Sequence, residues 1–119
     1  MEKEECIFCE IANGKIKVEK IYENEDFFAF YDANPIGEGH TLIIPKKHFD
    51  SLMDLDKDIS LGYIPVIREV ADILMKKYNA AGFNILLNNG KVAGQIIGHV
   101  HFHLLPRKKG NNNKGFLFF

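Results

Sequence analysis

Three histidines stand at alternate positions near the carboxyl end of the chain: His99, His101 and His103. Successive side chains of a strand point to opposite faces, so these imidazoles would share one face, about 7 Å from one to the next. Val100, Phe102 and Leu104 fall on the other face, where they can bury against a helix. Such a strand separates a core face from an imidazole face. Imidazole suits attack on phosphorus, because it is substantially unprotonated near neutral pH and its phosphoramidate adduct can be hydrolysed. One histidine cannot set its own tautomer. A neighbour or a main-chain carbonyl must accept one N–H so that the other nitrogen carries the attacking lone pair. A row of imidazoles offers an attacker and polar companions for a phosphate.

A second constellation is Cys6-x-x-Cys9, two thiols at a spacing common in zinc sites. Met-Glu-Lys-Glu-Glu is not followed by an apolar stretch, so it does not read as a signal peptide. No apolar run approaches the roughly 20 residues of a membrane helix. The expected location is therefore cytoplasmic, where a structural disulfide is disfavoured and metal binding or redox chemistry is favoured. His48 and His99 are candidates for the other two ligands. A thiol redox protein is the competing reading, but no thioredoxin-like βαβ pattern surrounds the pair.

The elements that position these residues follow from pattern. Cys6 to Asn13 reads as a short helix stopping at Gly14. Val18 to Tyr22 and Phe27 to Asp32 read as strands around a polar turn, Glu23-Asn24-Glu25-Asp26. Asn34-Pro35 and Gly37-Glu38-Gly39 break the chain before a third strand, His40 to Pro45, whose Leu42, Ile43 and Ile44 are too apolar for an exposed edge. His40, at the start of that strand, is given no catalytic role. Ser51 to Gly62 fits no single element. Ile64, Ile67, Ala71, Leu74 and Tyr78 have helical spacing and mark a buried stripe. Pro65 fits best in the first turn of that helix; a helix beginning earlier would be kinked there. Phe83 to Asn88 and His99 to Leu105 complete the strands. The sum is an α+β domain: about five mainly antiparallel strands, one long helix and a short N-terminal helix.

The chain has 119 residues, which suits a single domain over 1–119, with its motifs between about 6 and 107 and a tail from 108 to 119. Its 15 basic and 16 acidic residues give a net charge of -1, which argues against a nucleic-acid or membrane partner.

His99-Val100-His101-Phe102-His103-Leu104-Leu105 has the His-apolar-His-apolar-His-apolar-apolar pattern of the histidine triad family. Cys6-Ile7-Phe8-Cys9-Glu10-Ile11 resembles the amino-terminal signature of its nucleoside phosphoramidase branch. Phe30 to Pro35, Gly39 to His48, Asn88-Asn89-Gly90 and Gly94-Gln95 resemble further segments, in the expected order.

The resemblance implies that His101 attacks the α-phosphorus of a purine nucleoside phosphoramidate, while His103 contacts the phosphate and aids the leaving group. It assigns Asp32 to the ribose hydroxyls, Asn88 to the ribose-phosphate portion, and Gly94 and Gln95 to the loop approaching the phosphate. Ile7, Phe8, Ile11 and Phe30 match the apolar pocket for the base. A structural zinc ion would be held by Cys6, Cys9, His48 and His99. The resemblance further implies a homodimer that extends the sheet across two subunits, and the apolar tail Phe116-Leu117-Phe118-Phe119 agrees with a covered surface. One departure stands out. Ile96 occupies a position where that branch usually carries Ser or Thr. Two other readings remain: a dinucleoside polyphosphate hydrolase, and a nucleotide-binding or scaffold protein without turnover.

Overall fold

The computed structural model describes residues 5–110. The short helix α1 spans Ile7–Ala12, and the strands are β1 (Lys20–Glu23), β2 (Phe27–Tyr31), β3 (Thr41–Pro45), β4 (Gly82–Leu87) and β5 (Phe102–Arg107). The long helix α2, Lys57–Tyr78, lies between β3 and β4 in the chain. The sheet is antiparallel throughout, in the order β1-β2-β3-β5-β4. The last strand is thus inserted between β3 and β4, with partners on both sides. This is the expected α+β architecture of five strands, one long helix and one short helix.

Strand β2 is apolar at every position but its last, because both of its faces are covered. Phe27 and Ala29 join Ile43, Val100 and Leu104 beneath the α2 residues Tyr63, Val66, Ile67, Val70 and Leu74. Phe28 and Phe30 turn to the opposite face, with Leu42 and Ile44, and meet Phe8 and Ile11 of α1. The period-two alternation of the strands therefore serves two layers, a helix on either side of one sheet.

The structure corrects the reading of the long helix. It begins at Lys57, where the Asp56 carboxylate accepts the Ile59 N–H at 2.8 Å. The unassigned segment from Ser51 is a capped 3-10 turn, Leu52–Asp54, followed by the first turns of α2. Pro65 is accordingly inside the helix. Its ring is exposed, as is Leu61 four residues earlier, whose carbonyl loses its N–H partner on a face open to water. Ile64, assigned to the buried stripe, is 60% exposed; the inward positions are instead Ile59, Tyr63, Val66 and Val70 alongside Ile67, Ala71 and Leu74. Strand β5 starts at Phe102, so His99 and His101 precede the hydrogen-bonded ladder rather than lying in it. The alternation survives this change, since Val100 and Leu104 enter the helix-side core.

No helix among the described residues is long and apolar enough to cross a membrane.

Candidate active site

The imidazoles lie on the α1 face of the sheet. His103 pairs with Leu42 across β3–β5, which brings it beside His40 at the approach to β3. Gly39 makes that approach possible: its φ is +83°, and a Cβ there would fall 2.9 Å from both Tyr78 and Pro106 side chains. The His101 and His103 rings have centroids 5.0 Å apart, and Phe8 packs edge-on to His101 at 5.1 Å.

Hydrogen bonds to groups of fixed polarity settle the tautomers. His101 Nδ1 is 2.8 Å from the main-chain oxygen of His99. A carbonyl only accepts, so Nδ1 bears the proton and Nε2 carries the lone pair. The Ile36 N–H donates to His40 Nδ1 at 3.2 Å, which puts the proton of neutral His40 on Nε2. That Nε2–H donates to His103 Nδ1 at 2.9 Å, so neutral His103 carries its own proton on Nε2. The site thus pairs a nitrogen lone pair on His101 with an N–H donor on His103.

Burial, the largest cause for each ring, lowers the pKa of His40, His101 and His103, and His103 falls to about 4. Charge on neighbouring histidines adds to the depression of His103, while Asp32 opposes it. All three rings stay neutral near pH 7, as the lone-pair and N–H arrangement requires. Asp32 accepts the Asn34 N–H at 2.9 Å and places its other oxygen 3.6 Å from His40 Nε2. His40 is the residue the sequence reading passed over. Its signal was nonlocal, since only the β3–β5 pairing shows that it abuts His103.

The remaining predicted residues divide into groups. Phe8, Ile11 and Phe30 share one buried cluster, against which Ile97 packs, whereas Ile7 is 44% exposed. Asn88 packs against Gly94, whose φ is +94°. The loop between β4 and β5 is braced from within: Gly94 and Gln95 N–H groups bond to Lys91 and Gly90 oxygens. The Gln95 side chain accepts from Gly90 N–H at 2.7 Å and donates to the oxygens of Asp50 and Ile97. Gln95 therefore holds the loop in shape in this conformation, rather than pointing its amide at a ligand. Ile96 is 88% exposed on the same loop.

Cys6, Cys9, His48 and His99 converge, with one donor atom from each lying within 4.8 Å of the others. Both cysteines are reduced. The thiol sulfurs stand 3.4 and 3.5 Å from His99 Nδ1, and Cys9 Sγ is 3.3 Å from His48 Nδ1. Zinc bond lengths and a tetrahedral angle put sulfur and nitrogen ligands about 3.5 Å apart. The outer ring nitrogens are also arranged for metal binding. His99 Nε2–H donates to Pro45 O at 2.9 Å, and His48 Nε2–H to Asp50 Oδ1 at 2.8 Å, so each Nδ1 lone pair faces the thiols. The residues fit a closed, four-ligand structural site.

A family model described as the HIT domain matches residues 13–110. The chain belongs to the HIT domain family. An uncharacterized HIT-like protein of Methanocaldococcus jannaschii is 44% identical over 106 residues, covering 89% of this chain and 81% of that protein. The adenosine 5'-monophosphoramidase of Candida albicans is 40% identical over 107 residues, covering 87% of this chain and 70% of its own length. Among solved structures, a HIT family protein from Bacillus anthracis superposes with a TM-score of 0.87 at 39% identity, covering 96% of this chain and 81% of that one. The histidines of this HIT chain are brought together on one face of the HIT sheet.

Proposed function

We propose that this chain hydrolyses purine nucleoside 5'-phosphoramidates to the nucleoside monophosphate and an amine, through a nucleotidyl-His101 intermediate. The observation that carries this reading is the hydrogen bond from His101 Nδ1 to the His99 carbonyl, which leaves Nε2 as a lone pair for phosphorus. His101 Nε2 attacks the α-phosphorus as the P–N bond breaks; the departing nitrogen, held by the His103 Nε2–H, takes a proton from solvent and leaves as the amine, and that proton is returned when water attacks in the second step. Water then attacks the same phosphorus, releases the nucleotide and restores His101. Asp32 accepts from the ribose hydroxyls, Asn88 contacts the ribose-phosphate portion, and Phe8, Ile11 and Phe30, edged by Ile7, receive the base. The Gly94–Ile96 loop lies against the phosphate. The phosphoramidase name of the Candida relative supports the choice of reaction.

Cys6, Cys9, His48 and His99 would hold zinc, whose role is to fasten α1 to the strands; all chemistry remains with the imidazoles. A homodimer is part of the same reading. β4 is an edge strand with Phe83 and Ile85 41% and 45% exposed, and Leu61 and Ile64 lie open on α2. Sedimentation tests it: a monomer at every concentration removes the dimer. The reaction is tested by comparing turnover of an adenosine phosphoramidate, a guanosine phosphoramidate and a diadenosine polyphosphate. Fast release of amine from the phosphoramidates supports the proposal. Preferential cleavage of the polyphosphate, or tight nucleotide binding with no turnover, sinks it.

A further inference from the structure

We propose that the cysteine–histidine clamp sets the tautomer of the nucleophile, with His99 as the positioning residue that joins the two. The inference rests on the reading of His101 as the attacking residue. His99 is fully buried and engaged from three directions. Its Nδ1 faces both thiols, its Nε2–H is held by Pro45 O, and its main-chain oxygen accepts the His101 Nδ1–H. That last bond decides which nitrogen of His101 is protonated, so the placement of the His99 carbonyl governs the availability of the attacking lone pair.

Strand pairing does not supply this placement, although the His99 ring is tied to Pro45 at the end of β3. β5 begins at Phe102, so the ladder pairs of the strand leave residues 99–101 outside. Their conformation is fixed by the clamp and by a second ligand segment. The Val100 N–H donates to Phe49 O at 2.7 Å, and Phe49 directly follows His48. Asp50 accepts from His48 Nε2–H through its carboxylate and from Gln95 through its main-chain oxygen. Segments 48–50 and 99–101 are thus stitched together, each contributing one imidazole to the clamp. Phe8, between the two cysteines in sequence, packs on His99 and His101 with centroids at 5.9 and 5.1 Å. Four ligands from three chain segments converge where no strand pairing holds the backbone. Emptying the clamp removes the tie between the His99 ring and α1, and leaves the peptide that carries the His99 carbonyl held by the Val100 N–H bond to Phe49 O and by the His99 ring bond to Pro45 O, with no anchor to α1.

The test uses Cys6→Ser in the full chain with 15N-labelled histidine, titrated with zinc. Cys6 is only partly buried, so this change weakens the site with little disturbance to the core. His101 is read by its ring-nitrogen shifts, folding by far-UV circular dichroism, and turnover with an adenosine phosphoramidate. The expected result is that His101 is a single Nδ1–H tautomer at full occupancy. It becomes a mixture as zinc is withdrawn, while the folded fraction stays constant. kcat falls in parallel by roughly 10–100-fold, the range seen when groups that orient a functional histidine are lost. A His101 that keeps the Nδ1–H tautomer in folded, zinc-free protein overturns the proposal. So does a tautomer change that occurs only in the unfolded fraction, since zinc would then act through folding alone. Absence of turnover at full occupancy would count against the phosphoramidase reading, and the tautomer titration would still decide the coupling.

Discussion

Replacing His40 with Ala removes a side chain that no substrate atom needs to touch. It deletes the acceptor of the Ile36 N–H and the donor to His103 Nδ1, both made by a ring that is 3% exposed. His103 is then released to carry its proton on either nitrogen. A buried polar group left without its partner costs about 1–3 kcal/mol. If that cost appears in full where His103 must present Nε2–H, kcat falls by about 5- to 150-fold. In the proposed reaction the loss depends on the leaving group, because there the His103 hydrogen bond assists the departing nitrogen. The assay is steady-state hydrolysis of adenosine phosphoramidates with amines of graded basicity. The expected outcome is a large loss for alkylamines, a small one for weakly basic amines, and a nearly unchanged affinity for AMP. A uniform loss across the series, or a matching loss of AMP affinity, would show that His40 only supports the local fold.

Three further outcomes are expected. Purified wild-type protein carries about one zinc per chain by elemental analysis, and Cys9→Ser, at a fully buried ligand, loses both metal and thermal stability; metal-free protein from a zinc-replete preparation would refute the site. The neutral form of His103 is favoured in the native state, its pKa lying near 4 against about 6.5 unfolded, so its contribution is present above pH 6.5 and is lost as pH falls towards 4. Urea midpoints across that window therefore drop more steeply for wild type than for His103→Asn, and parallel slopes would contradict the shift. Ile96→Ser adds a hydroxyl to an exposed loop position and raises turnover of alkylamine phosphoramidates by a modest factor, in line with about 0.5–1.5 kcal/mol for one hydrogen bond, while substrates with acidic leaving groups change less. An equal change for both classes would show that Ile96 does not stand in for a hydroxyl.

The imidazole face was legible because Val100 and Leu104 alternate with the histidines and both enter the core. The same alternation could not show where the ladder begins. Pairing starts at Phe102 because the preceding residues are held by clamp and main-chain bonds from elsewhere in the chain. The long helix was half legible: Ile67, Ala71 and Leu74 lie on its buried side at the expected helical spacing, but Val66 and Val70 went unread, and Pro65 pointed to a start that the Asp56 cap places eight residues earlier. A proline on the water-facing side of a helix forfeits one exposed hydrogen bond, and burial of Ile59 and Tyr63 outweighs that loss. Phe8, Ile11 and Phe30 were grouped through the family resemblance together with Ile7, which the structure leaves exposed outside their cluster. The division of labour between His40 and Gln95 was not legible, because each acts on a partner brought near by folding: His40 on His103 across 63 residues, Gln95 on Asp50 across 45.

The proposed reaction attaches the nucleotide covalently to His101. Wild-type protein mixed with an adenosine phosphoramidate, quenched within the first turnover under alkaline conditions that preserve N–P bonds, and mapped by peptide mass spectrometry tests it directly. The expected result is an adenylyl group on the peptide containing His101, absent in His101→Gly, with amine released in a burst of one equivalent per site. Amine release at the full rate from His101→Gly, or an adenylyl group carried by another residue, would contradict it.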